Sequence, residues 1–226
     1  MTDLVELVPP ASHSFHVAFE QCPRKALHAN ILRDVERADS KAMAWGRHVH
    51  EAMEKRINHG APLPEELRHY DMTVQFPSDY RIAAEVKLAI DSKSQPVDFF
   101  SDDVWLRGVL DVVVLNPTKP SFAILIDHKT GKIREDPAEL EIHALLLQRH
   151  KPELTDIRGW FSWLAHNKLG KIHDLSQTQS TYERIRRTQT EIIRLAALGE
   201  KAFSPRQSGL CPWCPCSTQQ CEYKPA

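Results

Sequence analysis

Two apolar runs decide how this chain folds: Val109-Leu110-Asp111-Val112-Val113-Val114-Leu115 and Phe122-Ala123-Ile124-Leu125-Ile126-Asp127. Asn116-Pro117-Thr118-Lys119-Pro120-Ser121 lies between them. The first run is rich in β-branched residues, and the segment between is a turn by composition, so each run reads as a buried strand. In an antiparallel hairpin centred on Lys119, residues equidistant from the centre face each other. Asp111 and Asp127 each lie eight positions from it, so their Cβ atoms are expected about 4.5–5.5 Å apart. Carboxylates that close repel each other unless one is protonated or a cation sits between them. Oxygen ligands of this kind suit Mg²⁺ or Mn²⁺. Lys129, two residues after Asp127, shares its face of an extended strand and can stabilise developing negative charge or orient a water. Gly131 lets the backbone turn, and Thr130 and Lys132 are available for phosphate contact. The plainer reading is two strand-end aspartates in turns, with Lys129 as a salt-bridge partner.

Outward from this hairpin the pattern alternates. Ser12 to about Ile57 reads mainly helical, with a break near Asp39-Ser40. One helix, Ala44 to Asn58, ends at His59-Gly60, a fitting C-terminal stop. It carries His50 and Glu54 four residues apart on one face, with Glu51 as a rival to Glu54. Gly46, one turn earlier, allows close approach of another backbone. Met72 to Phe76 alternates like a strand, and Arg81 to Asp91 is ambiguous between helix and strand. Asp136 and Pro137 suit the start of a helix running to about His150. Trp160–Ala165 and Lys171–Leu175 look like a hairpin about Asn167-Lys168-Leu169-Gly170. A polar helix from Tyr182 stops at Gly199. Together these predict a mixed α/β domain.

Composition narrows the function classes. An apolar share of 42% and a charged share of 26% over 226 residues are ordinary for a soluble globular chain, which excludes a disordered or collagen-like protein. The net charge of -1 excludes a polycation held to nucleic acid by bulk charge, but not a local basic groove. Arg184, Arg186 and Arg187 form a run that reads as a solvated helix face. Asp3 and Glu6 stand where a signal peptide would be basic, and no apolar stretch approaches the roughly 20 residues of a membrane span. The expectation is a cytosolic protein without membrane contact. In that compartment Cys211, Cys214, Cys216 and Cys221, crowded at the C-terminus with Cys22 far upstream, point to metal rather than to disulfides. One reading is a local zinc knuckle from Cys211, Cys214, Cys216 and Cys221, which leaves Cys22 free.

Taken together, Gly46-x3-His50-x3-Glu54, Gly108-x2-Asp111 and Asp127-His128-Lys129-Thr130-Gly131-Lys132 resemble the signature of the RecB-like branch of the PD-(D/E)xK nuclease superfamily. That branch includes the CRISPR-associated adaptation nucleases. Ser14-Phe15 through Cys22-Pro23-Arg24-Lys25 resembles its opening helix, and the likeness runs from about Ser12 to Cys221. It implies a single nuclease domain over residues 1–226 with a restriction-endonuclease-like core, a mixed sheet flanked by helices, at 70–200. A helical part at 1–60 would precede the core, and a cysteine-rich tail at 205–226 would pack with Cys22. It implies that His50, Asp111, Asp127 and the carbonyl of His128 bind a divalent ion, Mg²⁺ or Mn²⁺, and that Lys129 positions or activates the attacking water. Where relatives carry Gln-x3-Tyr on the next helix, this chain has Glu139 and His143, which keep the i,i+4 geometry and change the chemistry. It implies a 4Fe-4S cluster on Cys22, Cys211, Cys214 and Cys221, with Cys216 extra.

The function expected from these residues is metal-dependent hydrolysis of DNA phosphodiesters, most simply an exonuclease on DNA ends or single strands. Recombination, repair, phage DNA processing and CRISPR adaptation are all open to it. Arg24, Lys25, Arg47, Thr130 and Lys132 are the candidate DNA contacts, and Glu54, Glu139 and His143 join Lys129 as candidate catalytic residues. No helicase motor fits in this length, so unwinding needs a partner protein. A module that keeps the fold and binds DNA or a partner without cleaving is the alternative.

Overall fold

Ser12 accepts a hydrogen bond from the Phe15 N–H and opens helix α1 (His13–Gln21), as an N-cap serine should. Cys22 interrupts it in extended conformation, Pro23 opens the short helix α2 (Pro23–Ala26), and a π-helical segment, Leu27–Leu32, follows. Helix α3 (Lys41–His59) is capped by Ser40 and stops at Gly60, whose φ of 67° is a left-handed conformation that only glycine adopts freely. The structure, a computed structural model, describes residues 3–36, 40–74 and 76–225. Asp39, at the expected helix break, and Gln75 lie outside the described residues. Glu65–Val74 is 3₁₀ helix, not the strand that alternation at Met72–Phe76 suggests. So short an alternation does not separate the two periods.

The ambiguous segment is strand β1 (Arg81–Ile90), followed by β2 (Pro96–Val97), β3 (Leu106–Leu115) and β4 (Phe122–Lys129). Helix α4 (Ala138–His150) begins where Asp136 Oδ1 accepts the Ala138 N–H at 3.1 Å. Strand β5 (Asp156–Trp163) and the short β6 (Lys168–Leu169) and β7 (His173–Asp174) follow, then helix α5 (Gln179–Leu198). The sheet runs β2-β1-β3-β4-β5-β6, with β7 also on β5. All pairs are antiparallel except β4 and β5, which run parallel because α4 carries the chain across between them.

The described chain forms two compact units. One, Asp39–Tyr182, holds the sheet and the helices on either side of it. On one face Leu140, Ala144 and Leu147 of α4 pack with Ala123, Leu125, Ile157 and Phe161. On the other face Ile57 of α3 packs with Val112, Val114, Ile126 and Trp160. Val49 and Met53 of α3 bury against Leu63, Leu67, Tyr70 and Leu164. The sheet is therefore a middle layer between helices, which is the mixed α/β architecture expected.

The other unit joins Met1–Ala38 to Glu183–Ala226. Phe15 and Phe19 of α1, Leu27 and Ile31 of the π segment, Ile192 and Ala196 of α5 and Phe203 form its core. Inside it, His16 Nε2 meets Gln189 Oε1 at 3.0 Å, and the Gln189 amide donates to the Pro9 carbonyl at 3.0 Å.

Candidate active site

The β3–β4 ladder pairs Val112 with Ile126 and Leu115 with Ala123, the register that the sequence predicts, and ends one residue short of Asp111 and Asp127. Asp111 Oδ2 accepts the His128 N–H at 2.7 Å, so the two strands are tied at this level through a side chain.

Two groups of side chains meet here. In the first, His50 of α3 turns Nδ1 toward Glu85 Oε1 at 3.3 Å and Asp111 Oδ1 at 3.4 Å, while Nε2 lies 3.2 Å from the His128 carbonyl. Ligand atoms of His50, Glu85 and Asp111 all lie within 4.8 Å of one another, the one such gathering of His, Cys, Asp and Glu among the described residues. The bond to Asp111, then that to Glu85, raises the His50 pKa to about 10. Burial works against charge on Asp111, but His50 outweighs it and holds the carboxyl below its ordinary value. A cation entering here takes the place of the His50 proton. The His128 ring is buried and neutral, its pKa lowered to about 4 by burial.

The second group faces α4. Lys129 Nζ lies 2.6 Å from Asp127 Oδ2 and 2.6 Å from Glu139 Oε2. Asp127 is 2% exposed, and its Oδ2 touches the lysine without an aligned hydrogen bond. Burial, then the Asp111 charge, raises the Asp127 pKa well above the ordinary value. Burial works against charge on Lys129, but Asp127 and Glu139 outweigh it and hold it above its ordinary range.

Among the candidates named from sequence, His50, Asp111, the His128 backbone, Asp127, Lys129 and Glu139 lie in these two groups. Glu54 does not: it sits half-buried beside Lys55, and Glu85 stands against His50 instead. Glu51 pairs with Lys55 at 2.7 Å on the exposed face. His143 is buried at 5% exposure against Gly108, so it is neither an exposed helix residue nor placed to stack on a base. A Cβ at Gly108 would come within 2.9 Å of Leu146 Cδ1, so α4 requires the glycine there. Gly46 needs no such reason, since a Cβ would meet only Thr130 Oγ1 at 3.5 Å, and Gly131 has an ordinary φ and nothing within 4 Å. Arg47 and Lys132 are exposed, Thr130 half-buried, and Arg24 and Lys25 belong to the other unit.

Sequence reading missed Glu85 and Asn58. Asn58, in the last turn of α3, accepts the Ala84 N–H at 2.9 Å and donates to the Ala84 carbonyl at 3.0 Å, which fixes β1 beside the helix that carries His50. The one available signal was a single acid amid Ile82-Ala83-Ala84-Glu85-Val86.

In the unit formed by the chain ends, all five cysteines line a cavity of about 250 Å³, together with Arg24, Lys25 and Arg206. The Arg206 N–H points at Cys22 Sγ at 3.4 Å and the Ser208 N–H at Cys211 Sγ at 3.3 Å. Cys216 is buried, and burial, then its bond to Cys214, pushes its thiol pKa up to about 12.

A sheet flanked by helices thus brings a histidine, carboxylates and a lysine to one end of a hairpin. Residues 10–222 match the PD-(D/E)XK nuclease superfamily, and the chain belongs to it. Members of that superfamily are generally phosphodiester-hydrolysing nucleases that bind nucleic acid and use divalent ions such as Mg²⁺ or Mn²⁺. No curated protein matches the chain. No described helix is long and apolar enough to cross a membrane.

Proposed function

We propose that this protein is a divalent-metal-dependent DNA nuclease of the RecB-like branch, most simply an exonuclease acting on ends or single strands. The observation that carries the reading is the meeting of His50 with Asp111 and of Lys129 with Asp127 where β3 and β4 are tied by the Asp111–His128 bond. The donor set fits Mg²⁺ or Mn²⁺: one imidazole nitrogen faces a carboxylate oxygen at 3.4 Å, and Asp127 adds a buried carboxylate on the neighbouring strand β4. Oxygen-rich sites with an imidazole suit such hard ions. A divalent ion held there lowers the pKa of water and shields charge on the phosphate.

The chain's own residues do the rest. His50 Nε2–H donates to the His128 carbonyl, which fixes the ring and leaves Nδ1 for the ion. The His128 N–H orients Asp111. Lys129, held by Asp127 and Glu139, orients the water and stabilises the negative charge that develops on phosphorus oxygens. Exposed Arg47 and Lys132, with Thr130, receive the strand's phosphates. End-labelled single- and double-stranded DNA with Mn²⁺ tests this. Asp111→Ala and Lys129→Ala are expected to lose cleavage while keeping the fold; cleavage by both at the wild-type rate would overturn it.

A 4Fe-4S cluster on Cys22, Cys211, Cys214 and Cys221 fits the second cavity. Backbone N–H groups aimed at Cys22 and Cys211 are the kind of donor that surrounds the sulfurs of such clusters. A cluster there would tie the chain's ends into one nuclease domain. For such a nuclease we propose a cytosolic role in recombination, repair, phage DNA processing or CRISPR adaptation, beside a helicase or adaptation partner.

A further inference from the structure

The sheet changes face at one level. On β1, Ile82 packs with Val112 and Val114 on the α3 side, yet Val86 and Leu88, also at even positions, pack on the α4 side. On β3, Val112 is on the α3 side and Leu110 on the α4 side. Residues two apart on a regular strand share a face, so each strand must spend one residue on a reversal. On β1 that residue is Glu85, whose φ of 54° is left-handed and unusual for a residue with a side chain. On β3 it is Asp111. The ladder pairs Ala84 with Val112 and Val86 with Leu110, and lapses only at the level where Glu85 opposes Asp111. With one residue lost from each strand the register survives, which separates this feature from a bulge, where one strand carries an extra residue.

The reversal is held from outside. Asn58 bonds both backbone groups of Ala84, so the strained residue begins from a clamped neighbour. Such strain costs free energy and persists where the surroundings over-determine it, often at functional sites. It brings Glu85 Oε1 to 3.3 Å from His50 Nδ1. Adjacent ligands on an ion with bonds near 2.1 Å lie about 3.0 Å apart. His50 Nδ1 stands close to that spacing from both Asp111 Oδ1 and Glu85 Oε1, the ligand atoms all lie within 4.8 Å of one another, and the second His50 nitrogen is engaged by a backbone carbonyl.

We propose that Glu85 is itself a ligand of the catalytic divalent ion, delivered to His50 and Asp111 by the left-handed reversal of β1. This rests on the metal-nuclease reading above and adds a carboxylate from a strand that reading does not use. An ion held by three carboxylates and a histidine offers fewer positions to water and binds more tightly, so the site is loaded before DNA arrives.

The test is Mn²⁺ binding by the whole protein without DNA at neutral pH, read from the electron paramagnetic resonance of free Mn²⁺. Glu85→Gln is expected to weaken binding at least about tenfold, as is Asp111→Asn, while Glu51→Gln, which removes the same charge one residue from His50, leaves it within about twofold. Glu85→Gly is expected to melt above the wild type when metal-free, because glycine accepts the left-handed φ, and still to bind Mn²⁺ weakly. Wild-type affinity in Glu85→Gln beside weakened Asp111→Asn would overturn the proposal and leave the nuclease reading standing. Equal weakening by Glu51→Gln would overturn it too, since bulk charge alone would then explain the loss. Undiminished Mn²⁺ binding by Asp111→Asn would remove the metal-site reading itself.

Discussion

Lys129 and Glu139 form a 2.6 Å ion pair that joins the end of β4 to the first turn of α4, and the same ammonium lies 2.6 Å from Asp127. The lysine is thus held from two sides. Both carboxylates favour its charge, and Glu139, reaching it from α4, also fixes its position.

Glu139→Gln retains a hydrogen-bond acceptor and removes an anion that repels phosphate. It is expected to keep kcat within about tenfold and to lower KM for DNA. Glu139→Ala frees one side of the lysine and is expected to cut kcat by about 10–100-fold, as small misplacements do. Lys129→Ala is expected to lose about a thousandfold or more, as removal of a preorganised charge-stabilising group does. Steady-state cleavage of a labelled single strand reads all three. A Glu139→Ala enzyme as fast as the wild type would show that Asp127 alone positions the lysine.

Two glycines of the signature should behave differently. Gly108→Ala drives a Cβ to 2.9 Å from Leu146 Cδ1 and 3.3 Å from His143 Cδ2. Leu146 yields only partly in a packed core, so a loss of about 1–2 kcal/mol is expected. Gly131→Ala meets nothing within 4 Å and is expected to change stability by less than about 0.5 kcal/mol. Urea unfolding measures both. A neutral Gly108→Ala would mean that α4 stands off the sheet.

What the sequence made legible follows the range of the signals. The β3–β4 register was readable because a short turn fixes it, and it leaves Asp111 and Asp127 one residue beyond the last paired rung, Val112 with Ile126. Lys129 came from strand period. Glu85 did not, for two reasons. Its strand is distant from the hairpin in sequence, and a left-handed φ leaves no trace when the residue is not glycine or asparagine. Glu54 seemed the partner of His50 because helical phase puts the two on one face, but phase says nothing of which strand packs beneath. His143 kept the i,i+4 spacing from Glu139, and spacing alone does not reveal that α4 buries it along with Leu140, Ile142, Ala144 and Leu145.

The cysteine cavity separates its thiols by role. Cys22 and Cys211 receive backbone N–H groups, whereas Cys216 is pushed up to about 12 by burial and stays a thiol. Anaerobically purified protein is expected to be brown and to contain iron and labile sulfide. Cys22→Ser is expected to lose most of the visible absorbance, and Cys216→Ser to keep it. The reverse result, or zinc in place of iron, would select the local knuckle.

His16 gives the unit built from the chain ends a dependence on acid. It is 6% exposed, and burial lowers its pKa below the ordinary 6.5, with the Gln189 bond opposing that only in part. The folded state therefore prefers the neutral ring. As pH falls through 6.5 the unfolded chain takes up a proton that the folded chain refuses, so stability falls with acidification until the folded pKa is passed. The slope contributed by one such group cannot exceed about 1.4 kcal/mol per pH unit. His16→Gln keeps a hydrogen-bonding side chain of similar reach and does not titrate, so it is expected to flatten the decline in this window. Melting temperatures of both proteins from slightly alkaline to mildly acidic pH read the difference. Parallel curves would show that His16 takes its proton in the folded state as readily as in the unfolded one.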